Sequence, residues 1–151
     1  MCTVTETPIG MFYICETSGC ITHIFFEKPP VYEPFGETPL LTMAKKQLSE
    51  YFAGERRSFD LPITLVGTPF QLAVWNETKT IPYGKTAAYG EVGRRIGKIS
   101  AGHAVGSAIR QNPISIIIPC HRVIGADGSL VGYGGRLDIK QFLLELERSG
   151  K

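Results

Sequence analysis

The chain has no long apolar run, no strong net charge and few cysteines. No apolar stretch approaches the ~20 residues needed to span a bilayer, which excludes a membrane-spanning helix, and no membrane partner is expected. The N-terminus lacks a basic segment followed by an apolar core, so no secretory leader is expected. The expected location is intracellular, where thiols stay reduced. Neither an internal repeat nor a low-complexity tract occurs. What remains is ordinary globular composition: 151 residues, 43% hydrophobic and 20% charged, enough for a core in one compact domain or two small ones.

The net charge of +2 hides an asymmetry. Residues 1–62 hold 5 Lys and Arg against 8 Asp and Glu, and residues 63–151 hold 11 against 6. A basic second part points to a polyanionic partner. On charge alone an uneven solvated surface explains it equally well.

Patterning divides the chain at the same place. Residues 3–27 read as strands, with "ETSG" as a hairpin turn inside "GMFYICETSGCITHIFFE". The Pro-rich "KPPVYEPFGETP" is a loop. Thr38-Pro39 opens a helix with Leu41, Ala44, Leu48 and Tyr51 at helical spacing, ended by Gly54. After an extended linker, Thr68-Pro69 opens a second helix carrying Val74 and Trp75. A short helix over 88–97 and another from Ala101 to Gln111, capped by Ser100, form a helix-turn-helix pattern. Ile116–Ile118 reads as a buried strand-like run, and Asp138 as the cap of a last amphipathic helix. The expected domains are 1–62, an α/β structural domain, and 63–151, a helix-turn-helix domain.

The run "IIIPCHRV" carries the chemistry. A free cysteine is ordinarily a small core hydrophobe. Cys120, however, follows a stiffening proline and precedes His121, and a thiol with a free pKa near ~8.5 needs a base or cation to become a nucleophile at neutral pH. On extended backbone the two side chains point to opposite faces, so a bridging water is expected to carry the proton.

The pieces "FQLAVW", "IPYGKTAAYGEV", "AVGSAIRQNP", "IIIPCHRVIGADG", "GYGG" and "LLELE" occur in order over residues 67–149. In this set the chain resembles the O6-alkylguanine-DNA alkyltransferases, while residues 1–62 match loosely. The resemblance implies an α+β fold: a small N-terminal antiparallel sheet with a helix, ribonuclease-H-like, followed by a mostly helical, winged-helix-like DNA-binding domain. It implies a monomer that acts on double-stranded DNA, in the cytoplasm at the nucleoid or in a nucleus. A flipped O6-methylguanine, or O4-methylthymine, would pass its alkyl group irreversibly to Cys120. His121 would act as base, Glu147 as its orienter, Tyr89 as proton donor to the leaving guanine, and Asn112 as brace of the turn. Val123, Tyr133, Gly134 and Lys140 would line the base pocket. His103, Ala104, Gly106, Ser107, Arg110 and Arg122 would meet DNA in the minor groove, Arg122 alternatively forming an internal salt bridge. No cofactor or metal is implied.

Two positions depart from the family pattern. His103 stands where an arginine usually enters the duplex, and Arg136 stands where a small residue is usual, at the expected pocket mouth. Cys2, Cys15, Cys20 and His23 leave three options open: buried thiols, a disulfide, with Cys15 and Cys20 facing each other across the hairpin, or a metal site. The competing functions are a non-catalytic lesion binder or helix-turn-helix regulator, and a cysteine hydrolase. An intact Cys120 argues against the lesion binder, and no oxyanion hole is legible for the hydrolase.

Overall fold

The computed structural model describes residues 1–26, 34–98, 102–128 and 136–149. The expected pocket residues Tyr133 and Gly134, the cap Ser100 and the Ala101 helix start lie outside the described residues. The chain forms two compact units: Met1–Leu65 with Pro113–Ser115, and Val66–Asn112 with Ile116–Lys151.

In the first unit β1 (Cys2–Thr7), β2 (Gly10–Thr17) and β3 (Cys20–Phe25) form an antiparallel sheet in that order. Phe12 and Ile14 on β2 and Ile21 and Ile24 on β3 are buried. The predicted hairpin turn is made by Ser18 and Gly19, both at positive φ, which glycine adopts at little cost. α1 (Pro39–Phe52) lays Leu41, Ala44, Leu48 and Tyr51 into this core. Its start is set locally, because Thr38 accepts a hydrogen bond from the Leu41 amide at 3.1 Å and Pro39 needs no amide partner there. Pro113–Ser115 adds to the β3 edge through Ile24 N–H to the Pro113 carbonyl and Ser115 N–H to the Ile24 carbonyl.

The cysteine pairing corrects one expectation. Cys15 does not face Cys20: the β2–β3 register sets His23 opposite Cys15 and Thr17 opposite Cys20. Cys15 instead lies opposite Cys2 on β1 and is joined to it in a disulfide, leaving Cys20 as a half-buried free thiol. Register decided this, since directly opposed residues of an antiparallel pair stand within bridging distance.

In the second unit α2 (Pro69–Thr78) begins with a reciprocal capping box between Thr68 and Gln71. Its Trp75 donates the indole N–H to the Ala108 carbonyl at 2.9 Å. β4 (Ala87–Ala88) leads directly into α3 (Tyr89–Arg95), and α4 (Gly102–Arg110) follows. A 3-10 turn (Cys120–Arg122), β5 (Val123–Ile124) and α5 (Leu137–Arg148) complete the unit. The fold is thus α+β, with a small sheet and helix first and a mostly helical part second.

Two local expectations fail here. Ile116–Ile118 is buried or nearly so, yet it is not a strand: Ile116 takes φ 73° and turns the chain. Asp138 does not cap α5. It sits in the first turn, where its carboxylate accepts two hydrogen bonds from Arg136, each 3.1 Å, and Arg136 holds the cap position without a side-chain capping bond to a backbone amide.

Candidate active site

The short parallel ladder β4–β5 organises the site. It pairs Ala87 with Val123 and Ala88 with Ile124. One ladder end therefore carries Tyr89 into α3 and the other follows directly from the Cys120 turn. Because residues 120–122 form a 3-10 turn and not extended backbone, Cys120, His121 and Arg122 all fall inside the unit, each under a tenth exposed.

Glu147, on α5, is the hub of the buried charges. Its Oε2 lies 2.7 Å from His121 Nε2 and accepts from Arg122 Nη2 at 2.9 Å. Its Oε1 accepts from Arg122 Nε at 2.8 Å and from the Gly84 amide at 3.2 Å. Burial alone would raise the Glu147 carboxyl, but the hydrogen bonds and charges of His121 and Arg122 win and hold it well below the usual carboxylate range. This is a desolvated ion pair with every acceptor position used, the condition under which such a pair is tolerated.

Gly84 and the Ile81 carbonyl escaped the sequence reading. "IPYGK" enters the sequence reading only within the family-like piece "IPYGKTAAYGEV", which assigns neither residue a role. In the fold Gly84 takes φ 78° and turns its amide onto Glu147, while Ile81 accepts from Arg122 Nη1 at 2.6 Å. Arg122 itself takes the internal of its two alternatives. It is buried, with Nε, Nη1 and Nη2 each bonded to Glu147 or the Ile81 carbonyl, so the expectation of a DNA contact from this side chain is corrected.

The carboxylate can only accept, so His121 donates Nε2–H to it, and this tautomer leaves Nδ1 as a lone-pair acceptor. Among the described residues Nδ1 is buried with no hydrogen-bond partner. Burial depresses the His121 pKa against the pull of Glu147, so the ring is neutral at pH 7. A neutral imidazole with a free acceptor nitrogen beside a cysteine is the state a general base must occupy before reaction.

The thiol needs that base. Burial pushes Cys120 up to about 11, opposed by the Asn112 hydrogen bond and the Lys140 charge. Asn112 Nδ2 reaches both Cys120 Sγ, at 2.8 Å, and the Ile118 carbonyl, at 2.9 Å, so one amide braces the turn and touches the nucleophile. Lys140 is fully buried on α5 and donates Nζ to the Val123 carbonyl, with its pKa lowered by burial to about 8. The same Nζ stands 5.7 Å from the Tyr89 ring centroid. Tyr89 is half-buried and its hydroxyl pKa is raised, by burial first and by the Cys120 charge second.

On α4, His103, Ala104 and Arg110 are exposed and Ser107 is half-buried, while Val105, Ala108 and Ile109 face the core. His103, Ser107 and Arg110 follow one another at helical spacing along one face. Gly106 is buried, and the position its Cβ would take lies 3.8 Å from the Tyr89 ring, so α4 passes closely by this tyrosine. Among the described residues no cluster of three metal-ligating side chains occurs.

A masked thiol, a neutral imidazole oriented by a carboxylate, and a basic helical unit define a cysteine-dependent group-transfer protein. Comparison with known proteins gives the class its name. Residues 69–149 match the family model for the DNA-binding domain of 6-O-methylguanine DNA methyltransferase, and residues 1–65 match that for its ribonuclease-like domain. A methylated-DNA–protein-cysteine methyltransferase of Methanosarcina acetivorans is 58% identical, with 97% of each chain covered. The constitutive enzyme of that name from Bacillus subtilis is 43% identical, covering 97% of this chain and 94% of its own. The crystal structure of Mycobacterium tuberculosis OGT in complex with DNA superposes with a TM-score of 0.91 at 43% identity, over 98% of this chain and 92% of that one. The chain belongs to the 6-O-methylguanine DNA methyltransferase family. Its activity is direct repair of DNA by alkyl transfer to an active-site cysteine.

Proposed function

We propose that Cys120 is the alkyl acceptor and that the residues around it divide the proton work. The Asn112 bond to Cys120 Sγ, beside a His121 whose Nδ1 has no partner among the described residues, carries this reading. His121 Nδ1 takes the thiol proton through one water, and the positive charge that forms is stabilised by Glu147. The thiolate attacks the alkyl carbon, the carbon–O6 bond breaks, and its electron pair stays on guanine. Tyr89 gives its hydroxyl proton to the guanine, which is a poor leaving group as an anion. The thioether is stable to water, so each molecule reacts once.

The substrate is double-stranded DNA bearing O6-alkylguanine, with O4-methylthymine as a further base. The exposed face of α4, with His103, Ala104, Ser107 and Arg110, enters the minor groove, and the alkylated base flips into the pocket. Val123, Tyr133, Gly134 and Lys140 hold the base there. The protein acts as a monomer in the compartment that holds the DNA. Intact mass after mixing with an oligonucleotide carrying O6-methylguanine tests this. A gain of one methylene mapped to Cys120 and absent in Cys120→Ala is expected. Binding without a mass change would make the protein a lesion binder instead.

A further inference from the structure

Arg110 is exposed at the C-terminal end of α4, where a phosphate contact accounts for it on sequence grounds. Its side chain does not extend away from the helix. Its Nη1 lies 3.6 Å from the position a Cβ would take on Gly106, and Cε1 and Cδ1 of the Tyr89 ring lie 3.8 and 3.9 Å from the same position. The guanidinium and the ring edge therefore share the space over one α-carbon, which is open because residue 106 has no side chain. We infer that Arg110 is a positioning residue for proton donation by Tyr89, stabilising the phenolate that forms when the hydroxyl proton leaves. This rests on the reading of Tyr89 as the proton donor.

The charges around Tyr89 make the role specific. The Cys120 turn faces it with the group that becomes a thiolate, which opposes phenolate formation. α5 faces it with Lys140, whose lowered pKa leaves it only partly charged as pH rises past about 8. Its own helix carries Arg94, whose Nη1 folds back toward Gly90. From α4 comes the Arg110 guanidinium, whose charge favours the ionised phenol. The Tyr89 O–H bond breaks and the proton goes to guanine. Arg110 gives up no proton and serves only as counter-charge. A Cβ at Gly106 would meet both groups at ordinary contact distance, so the glycine leaves the space beside ring and guanidinium unfilled.

Two measurements test the inference on the whole protein. The first is single-turnover transfer at saturating duplex, where DNA affinity no longer limits the rate. Arg110→Gln is expected to slow transfer about 10-fold at pH 7.5, and Arg110→Lys to restore most of it. In a Tyr89→Phe background Arg110→Gln is expected to change nothing further. An equal loss in both backgrounds, or weaker DNA binding with an unchanged saturated rate, would reduce Arg110 to a phosphate contact. The second measurement needs no activity. The Tyr89 ζ-carbon resonance, identified by its loss in Tyr89→Phe, is titrated in Cys120→Ala with and without Arg110→Gln. A midpoint higher by about one unit without the arginine is expected. An unmoved midpoint overturns the inference whatever the kinetics give. Absence of any Cys120 adduct in the wild type would instead overturn the proposed function, leaving the titration to speak for the Arg110–Tyr89 coupling alone.

Discussion

The second unit holds two sets of polar residues built on opposite terms. Around Glu147 the groups are buried and nearly all bonded: two side chains, a backbone amide and a carbonyl complete the cluster, and His121 Nδ1 is left over. Along α4, His103, Ala104 and Arg110 face solvent. The interior set is over-determined, so its one open acceptor is aimed. On the surface, His103 is open to whatever docks on it. Chemistry is placed where the fold dictates the answer, and recognition where the partner does.

If this contrast is right, interior changes should cost stability and rate together, and surface changes away from Tyr89, such as those at His103, should alter binding alone. Glu147→Ala is the strongest test. It strands Arg122 and removes the His121 partner, so a loss of about 3–5 kcal/mol is expected in urea unfolding. Alkyl transfer should fall about 100-fold or more. A variant of normal stability and rate would break the comparison outright.

Alkaline pH gives the next effect. The Cys120 thiol titrates near 11 in the fold, against an ordinary value of 9.0. A group whose folded pKa is raised keeps its proton longer in the native state. Its contribution is present below the unfolded value and is lost as pH rises toward the folded one. Wild type is therefore expected to lose about 2–3 kcal/mol more than Cys120→Ala between pH 9 and 11, measured by unfolding at each pH. Parallel pH curves would show the thiol to be less buried than described.

Asn112→Ala sharpens the same point at smaller scale. It removes the donor shared by Cys120 Sγ and the Ile118 carbonyl, so a loss of about 1–2 kcal/mol is expected. The thiol pKa should rise further, followed by ultraviolet thiolate absorbance. The smallest effect belongs to the surface. His103→Arg should leave unfolding unchanged, tighten duplex binding and steepen its salt dependence by about one counterion. Repair of duplex should speed up modestly. No gain, or a loss, would show that the histidine is not a shortened arginine.

The legible parts of the molecule are those whose causes are local. Thr38-Pro39 and Thr68-Pro69 marked both helix starts, because the cap side chain bonds an amide three residues on. The hairpin at Gly19 needed only positive φ. The Asp138 cap failed by a local competition, since neighbouring Arg136 engages the carboxylate instead. The strand at Ile116–Ile118 failed because three β-branched residues state a preference that tertiary packing overrode with a left-handed turn. Cys120 and His121 stood out by adjacency, whereas Glu147, 26 residues away from His121, had no local mark beyond an exposed-looking helix position.

The sequence by itself determined the strands-then-helices order, both capped helix starts and the adjacency of Cys120 and His121, since each depends on residues within one turn or one motif. Only the tertiary structure decided that Arg122 closes on Glu147, that Gly84 lends an amide, that Cys15 joins Cys2, and that Arg110 meets Tyr89 across Gly106. These rest on register and on packing between elements distant in the chain. No local spacing encodes which groups will be brought together, or which buried charge will then require a partner.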